Sequence, residues 1–321
     1  MALSLTNIQY NGKDLGLEII RETFDTSLLH TDFGIRVVDT IKSKYFWWDS
    51  NLSLVINDGS PLCPTYDTNF SLQQNFSELC PYHVSSCIAN DQLIGSAREI
   101  NYDAGVLNER VSQDTQLFST LIAMVSDGIQ EQIDTKFLND DAIYNCQDGL
   151  LFQFENPLLY NPVPAGQLLN PTNDPTDPTF VQAQLSYVIN NLPGKYRYGS
   201  RQDTMSKPKF AVSYAILSAY LESLTHTAPS TYSGALGINP MTGSYTYRGY
   251  DLVPIAGLAD QSMFLTSPDN IVAVYDSSAD ATNIKFIDEM ETKLCKQVCF
   301  RIDWRSSILF GKGDKIVYYR A

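Results

Sequence analysis

The sequence predicts an α+β fold, and three features carry that prediction. A succession of short strands fills the last fifty or so residues, an unusually long amphipathic helical pattern occupies the middle, and strands flanked by helices lie between them. With 321 residues and 44% hydrophobic content, the chain is long enough to bury one large core or two.

Residues 1–44 carry mixed signals, helix-compatible over Leu15 to Phe24, and lead into the aromatic cluster Tyr45-Phe46-Trp47-Trp48. We read this segment as an arm. From Asn51 to about Ile100, short alternating runs at Leu52-Ser53-Leu54-Val55-Ile56 and Asn69 to Phe76 are separated by Asn57-Asp58-Gly59-Ser60-Pro61, the signature of a hairpin.

Residues 106–138 form the strongest helical pattern, with Leu107, Val111, Phe118, Ile122, Val125, Ile129, Ile133 and Phe137 recurring mostly at steps of three and four. Such a helix would be roughly 45–50 Å long. Glu109, Gln113, Asp114, Gln130, Glu131 and Asp134 are assigned to its polar face, so the helix needs a sheet on one side only.

Six prolines between residues 157 and 178 mark a connection. Asp177-Pro178 then opens a helix through Val181, Leu185, Val188, Ile189 and Leu192, which stops at Pro193-Gly194. Lys209 to Val212 reads as a strand running into Ser213, the cap of a second helix through Ile216, Leu217, Tyr220, Leu221 and Leu224. Short strands at Leu252 to Ile255 and Met263 to Thr266 complete this unit. Asn270 to Asp276, Asn283 to Asp288, Gln297 to Trp304 and Asp314 to Tyr319 are the closing strands.

Composition excludes several function classes. A net charge of −14 disfavours a protein that grips nucleic acid through its backbone, because that affinity comes from Lys and Arg displacing phosphate counterions. Neither a signal-peptide pattern at the first residues nor a run of about 20 apolar residues is found. Six cysteines, Cys63, Cys80, Cys87, Cys146, Cys295 and Cys299, are too sparse for a disulfide scaffold, so free thiols are the expectation. A bond at Cys80 or Cys87 is not predicted.

No motif supplies a reaction centre. His30, His83 and His226 stand in no metal-ligand spacing and read as structural. Cys295 and Cys299 are the closest thiol pair in sequence; on a strand they would lie about 13 Å apart, too far to bond, whereas on a helical turn they would approach. Gly311-Lys312-Gly313-Asp314 is a turn between strands, since the residues of a phosphate loop are missing. Acidic pairs such as Asp140-Asp141 and Asp288-Glu289 read as solvated faces in a chain with 36 carboxylates.

In order, these segments resemble the major capsid protein of tailed bacteriophages, the Hong Kong 97-like fold. Asn69 to Phe76 and Cys80 to Val84 look like the extended loop and its re-entry, and Asp91-Gln92-Leu93 with the helix from Leu107 to Leu138 like the approach to and body of the spine helix. Tyr250 to Ile255, Met263 to Thr266 and Asp269 to Val274 look like the axial domain and its exit, and Phe300 to Tyr319 like the last strands. The resemblance implies an N-terminal arm over 1–44, an extended β-hairpin loop and re-entry over 45–104, and a peripheral domain with the spine helix over 105–176. An axial domain over 177–269 and return strands of the peripheral domain over 270–321 complete it.

It further implies a structural protein, not an enzyme, with no cofactor and no metal. Its main partner would be itself, in pentamers and hexamers of an icosahedral phage head assembled in the host cytoplasm and retained in the virion, and deleting the hairpin around residues 51–90 would leave a foldable core unable to close shells. Packaged double-stranded DNA would be touched only non-specifically, no membrane would be bound, and separate scaffolding, portal and decoration proteins are further partners. Trp47, Trp48, Phe70 and Phe76 are the candidate contacts between subunits, or else fill this subunit's own core. No lysine occurs between Lys44 and Lys136, which speaks against the isopeptide weld some members make on the loop. Only about forty-five residues precede the hairpin, too few for a fused scaffolding domain. An encapsulin-like compartment shell, a phage tail or baseplate protein, and an unfamiliar enzyme are the alternatives.

Overall fold

The computed structural model describes residues 12–40, 44–52, 70–89, 128–129, 132–139, 148–156, 162–170, 173–197, 207–226, 244–277, 283–288 and 297–320. Among them, two mixed layers of helix and sheet share a boundary.

The first layer begins with α1 (Gly12–Thr26), whose Ile19, Ile20 and Phe24 repeat at helical spacing and are fully buried. A single π-type turn, Leu29–Phe33, follows, and Gly34 at φ +92° breaks it, a conformation only glycine adopts freely. The chain then enters β1 (Arg36–Thr40), which pairs parallel with β10 (Ile271–Asp276), Arg36 opposite Val272. Phe24 stacks on Tyr275 at 5.0 Å and tilts against Phe137 at 5.4 Å.

β12 (Gln297–Phe310) is the axis of this sheet. Its second half pairs with β10 and its first half with β11 (Asn283–Asp288). On its other side, β4 (Cys80–Ala89) runs antiparallel in unbroken register from Cys80↔Ser306 to Ala89↔Gln297. Helix α2, described over 128–129 and 132–139, and α3 (Leu150–Glu155) cover the sheet with Ile129, Ile133, Phe137, Leu138, Leu150 and Phe154. Gln153 is held by the carbonyls of Ile308 and Asp148, both at 2.8 Å, so its buried amide hydrogens are satisfied.

The second layer is a six-stranded sheet in the order β5 (Leu168–Leu169), β13 (Val317–Tyr319), β9 (Met263–Thr266), β6 (Lys209–Val212), β8 (Tyr250–Pro254), β7 (Tyr245–Tyr247). Its central strands are apolar at consecutive positions because both faces are covered. Phe210, Val212, Met263, Leu265, Val317 and Tyr319 pack with Val181, Leu185 and Val188 of α4 (Val181–Asn191) and with Ile216 and Tyr220 of α6 (Tyr214–His226). The alternating residues Ala211, Val253, Phe264 and Tyr318 face the other way and join the core of the first layer. Phe264 meets Phe33 edge-on at 5.6 Å and Phe154 at 5.5 Å.

Local chemistry fixes the joints. Ser213 Oγ accepts the Ile216 N–H at 3.2 Å and so caps α6, as the sequence predicts. The helix before it begins later than predicted: Asp177 Oδ1 accepts the Thr179 N–H at 2.8 Å in a preceding turn, and α4 proper starts at Val181. A short helix α5 (Gly194–Arg197) follows at Pro193-Gly194. The turn at residues 311–314 is structural: Asn270, fully buried, accepts the Lys312 N–H at 2.9 Å and donates to the Lys312 carbonyl at 3.0 Å. Gly257, at φ +91°, lies where a Cβ would come within 2.7 Å of Thr135, so glycine permits this loop to touch α2.

Several expectations change. The described part of the 1–44 arm contributes to the core: Ile19, Ile20 and Phe24 of α1 are buried, and β1 completes a sheet through pairing with a strand more than two hundred residues away, which no local pattern encodes. The proline-rich connection contains an edge strand, β5, parallel to β13. β12 extends six residues past Trp304, and β13 lies between β5 and β9, so the last strand of the 270–321 set belongs to the six-stranded sheet. β4 is integral to the first layer, so removing residues 51–90 would take out a core strand. The stretches 53–69 and 90–127 of the predicted hairpin and long helix lie outside the described residues, as do Asp140, Asp141 and Glu289.

Asp134 is buried, not on a polar face. Its Oδ2 accepts the Leu28 N–H at 2.9 Å, and its Oδ1 has no hydrogen-bond partner. Burial raises its pKa above the ordinary carboxylate value; the Leu28 and Leu29 amides oppose the shift and the nearby Asp32 charge adds to it. The neutral form is thus favoured by folding. Its contribution to stability is fully present below the unfolded carboxylate pKa and is lost as pH rises through the raised folded value. As pH rises above the ordinary carboxylate value of about 4, urea midpoints of the wild type are expected to fall relative to those of Asp134→Asn. Asp134→Ala, which strands the Leu28 N–H, should cost about 1–3 kcal/mol. Phe264→Ala is expected to cost about 3–5 kcal/mol in the same assay. Phe152→Ala, at a side chain 44% exposed, should stay within about 0.5 kcal/mol of wild type.

Candidate assembly interface

β2 (Lys44–Leu52) and β3 (Phe70–Glu78) form a two-stranded antiparallel ribbon. Its register runs from Lys44↔Glu78 through Phe46↔Phe76 and Trp48↔Gln74 to Leu52↔Phe70. The first strand begins earlier than the alternating run at Leu52 to Ile56: the aromatic cluster Tyr45-Phe46-Trp47-Trp48, within the 45–104 loop region, is strand. At about 3.3–3.4 Å per residue, nine residues extend the ribbon by roughly 30 Å.

Directly opposed residues share a face, and faces alternate along each strand. Phe46, Trp48, Leu52, Phe70, Leu72 and Phe76 therefore occupy positions on one face, and Trp47 falls on the other with Tyr45, Asp49, Asn51, Gln73 and Asn75. Three of the four sequence candidates, Trp48, Phe70 and Phe76, are brought to one side, and Trp47 is separated from them. Phe46, Leu52 and Leu72 were missed by sequence reasoning, because face membership requires the strand register. Among the described residues the ribbon pairs with no third strand, and a two-stranded ribbon is at best marginal alone.

The ribbon is anchored through β4. Glu78 ends β3, Leu79 is buried against Val272, Val274 and Leu309, and Cys80 starts the ladder to β12. Tyr82 stacks on Trp304, its register partner, at 5.8 Å. Next to them, a cleft of about 100 Å³ opens between α2 and the ladder, with Val84, Ile133, Phe137 and Trp304 in its wall and His83 and Lys136 on its lining. Cys80 is buried and disulfide-bonded, which corrects the expectation that every thiol is free.

His30 and Tyr196 have structural partners, whereas Cys63, Cys146, Cys295 and the side chain of His226 lie outside the described residues. His30 Nδ1 lies 2.9 Å from the Ile35 carbonyl and holds the turn before β1; His83 is exposed. Tyr196 donates to Asp314 Oδ2 at 2.6 Å beside Lys195, and burial with that carboxylate pushes its hydroxyl up to about 12, tying α5 to the turn before β13. Among the described residues no group of three or more His, Cys, Asp or Glu is arranged to hold a metal ion. No described helix is long and apolar enough to cross a membrane. Phe152, Phe180, Tyr187 and Tyr214 are the exposed large apolar side chains among the described residues.

No protein-family model matches the chain, and no curated protein matches it. Solved structures do. A chain of the satellite phage P4 procapsid with its size determination protein is 14% identical, with 94% of this chain and 90% of that chain covered and a TM-score of 0.56. A capsid chain of the native GTA particle is 10% identical, with coverage of 99% and 93% and a TM-score of 0.55. The SrpI encapsulin of Synechococcus elongatus is 11% identical, with coverage of 89% and 84% and a TM-score of 0.50. The α+β architecture of this chain is shared with these shell-forming chains over most of its length.

Because Lys44 and Glu78 are direct register partners, a two-residue Asn-Gly turn can replace residues 45–77. The shortened chain is expected to fold, with a thermal midpoint within a few degrees of the wild type, as read by circular dichroism. Loss of cooperative unfolding would show that the ribbon belongs to the subunit's own core.

Proposed function

From its Hong Kong 97-like α+β fold, we propose that this chain is a major capsid protein of a tailed bacteriophage, a structural subunit and not an enzyme. Copies assemble through pentamers and hexamers into an icosahedral head enclosing double-stranded DNA. The observation that carries the reading is the amphipathic two-stranded ribbon, rooted in the body by β4 but paired with nothing else among the described strands. Burying its apolar face on a second copy would supply the stability that a lone ribbon lacks.

Trp48, Phe70 and Phe76 are the anchors of that contact and Trp47 is peripheral to it, since aromatic side chains dominate such interfaces when buried together. The net charge of −14 suits a wall over which packaged DNA slides without sticking. Separate scaffolding, portal and decoration proteins complete the assembly. The encapsulin likeness supports a second reading, a compartment filled with protein cargo.

Negative-stain electron microscopy and sedimentation of the full chain, expressed alone and with neighbouring genes, test the proposal. Closed shells, or rings of five and six, are expected; a monomer under every condition would refute it. Nuclease-protected DNA inside the shells identifies a phage head, and protein contents identify the compartment. Trp48→Ser with Phe76→Ser is expected to abolish shells and leave a folded subunit, whereas Trp47→Ser should assemble at close to the wild-type yield.

A further inference from the structure

We propose that Cys87 and Cys299 are a cross-strand redox pair that closes to a disulfide within one chain and staples β4 to β12. The inference does not depend on the assembly reading. It rests on the register: Cys299 is the direct partner of Cys87 in an antiparallel ladder whose ten pairs run without a bulge. Directly opposed residues in such a ladder lie about 4.5–5.5 Å apart between Cα atoms, within the roughly 4.4–6.8 Å that a disulfide spans.

Two further observations make the pair available. Odd-numbered positions of this ladder form its outer face: Pro81, His83, Ser85, Arg301 and Arg305 are exposed, while Ile302 and Trp304 on the even positions are buried. Unbroken alternation puts positions 87 and 299 in the same row of the ladder as these outer positions. Nor is either cysteine the partner of the disulfide-bonded Cys80. Cys87 is seven residues along the same strand and Cys299 seven residues from Ser306, the partner of Cys80, which is roughly 23 Å in each case. Cys295 and Cys299, the pair nearest in sequence, are two pleats apart if the strand continues, so the tertiary pairing displaces the sequence pairing.

The oxidant is a low-molecular-weight disulfide such as glutathione disulfide. The thiolate of one cysteine attacks it and releases one glutathione thiol; the second cysteine then attacks the mixed disulfide and releases the other. Two thiols lose two protons and two electrons, which convert one glutathione disulfide into two glutathione molecules. The pair is dithiol in a reducing cytoplasm and closes outside it. The bond closes a loop of roughly two hundred residues, so it constrains the unfolded chain strongly.

The test uses the full chain, reduced, desalted and exposed to glutathione disulfide, then alkylated with iodoacetamide and digested with trypsin and chymotrypsin without reduction. Cleavage after Tyr82 separates Cys80 from Cys87, and cleavage after Lys296 separates Cys295 from Cys299. A Cys87 peptide linked to a Cys299 peptide, released by reductant, is the expected result. The urea midpoint should rise more on oxidation in the wild type than in Cys87→Ser or Cys299→Ser, in which the Cys80 bond can still re-form. Alkylated Cys87 and Cys299 after oxidation, or either one linked to a different cysteine, would overturn the proposal without bearing on shell assembly.

Discussion

Ten consecutive residue pairs between β4 and β12 hold the two-stranded ribbon to the body of the protein. β12 is long enough to pair with β10 and β11 along one side and with β4 along the other, so it fixes where the ribbon of β2 and β3 leaves the first layer. The inner face of this ladder is secured by Ile302, Trp304 and Tyr82 against α2, and its outer face carries exposed charge. A ribbon of roughly 30 Å acts as a lever on its root, and an antiparallel ladder with one buried face resists register slip, because a shift by one residue would turn the apolar positions outward.

The second organising constraint is the shared sheet. β6, β9 and β13 send alternate residues into two cores, so neither layer can rearrange without disturbing the other. Phe264 and Tyr318 belong to the first core and Met263, Leu265 and Tyr319 to the second, although they are chain neighbours. Buried polar groups at this boundary are nearly all satisfied: Asn270 grips the turn before β13, and Tyr319 Oη lies 3.0 Å from both Gln184 Oε1 and the Asn173 carbonyl. Asp134 is the exception among the described side chains, with one buried oxygen unpartnered.

Much of this was legible in the sequence. The α+β class, the two helices on the second sheet, the Ser213 cap, the strands at 252–255 and 263–266, and the structural turn at 311–314 all follow from periodicity, capping and turn chemistry, which act over a few residues. The ordered set of segments also resembled the fold that the solved structures share. The aromatic residues of the ribbon were visible as a cluster, but their division between two faces was not.

What only the tertiary structure decided has one physical origin: pairing between segments far apart in the chain. β1 is a strand because β10 lies beside it, and β5 because β13 does. Asp134 sits on a helix whose pattern marks it as solvated, yet the turn after α1 covers it and supplies the Leu28 amide. Cys299 looks toward Cys295 in sequence but faces Cys87 in the ladder. Local free energies of capping and side-chain periodicity are written within a few residues and can be read there, whereas strand register and burial depend on loop closure and packing over hundreds of residues.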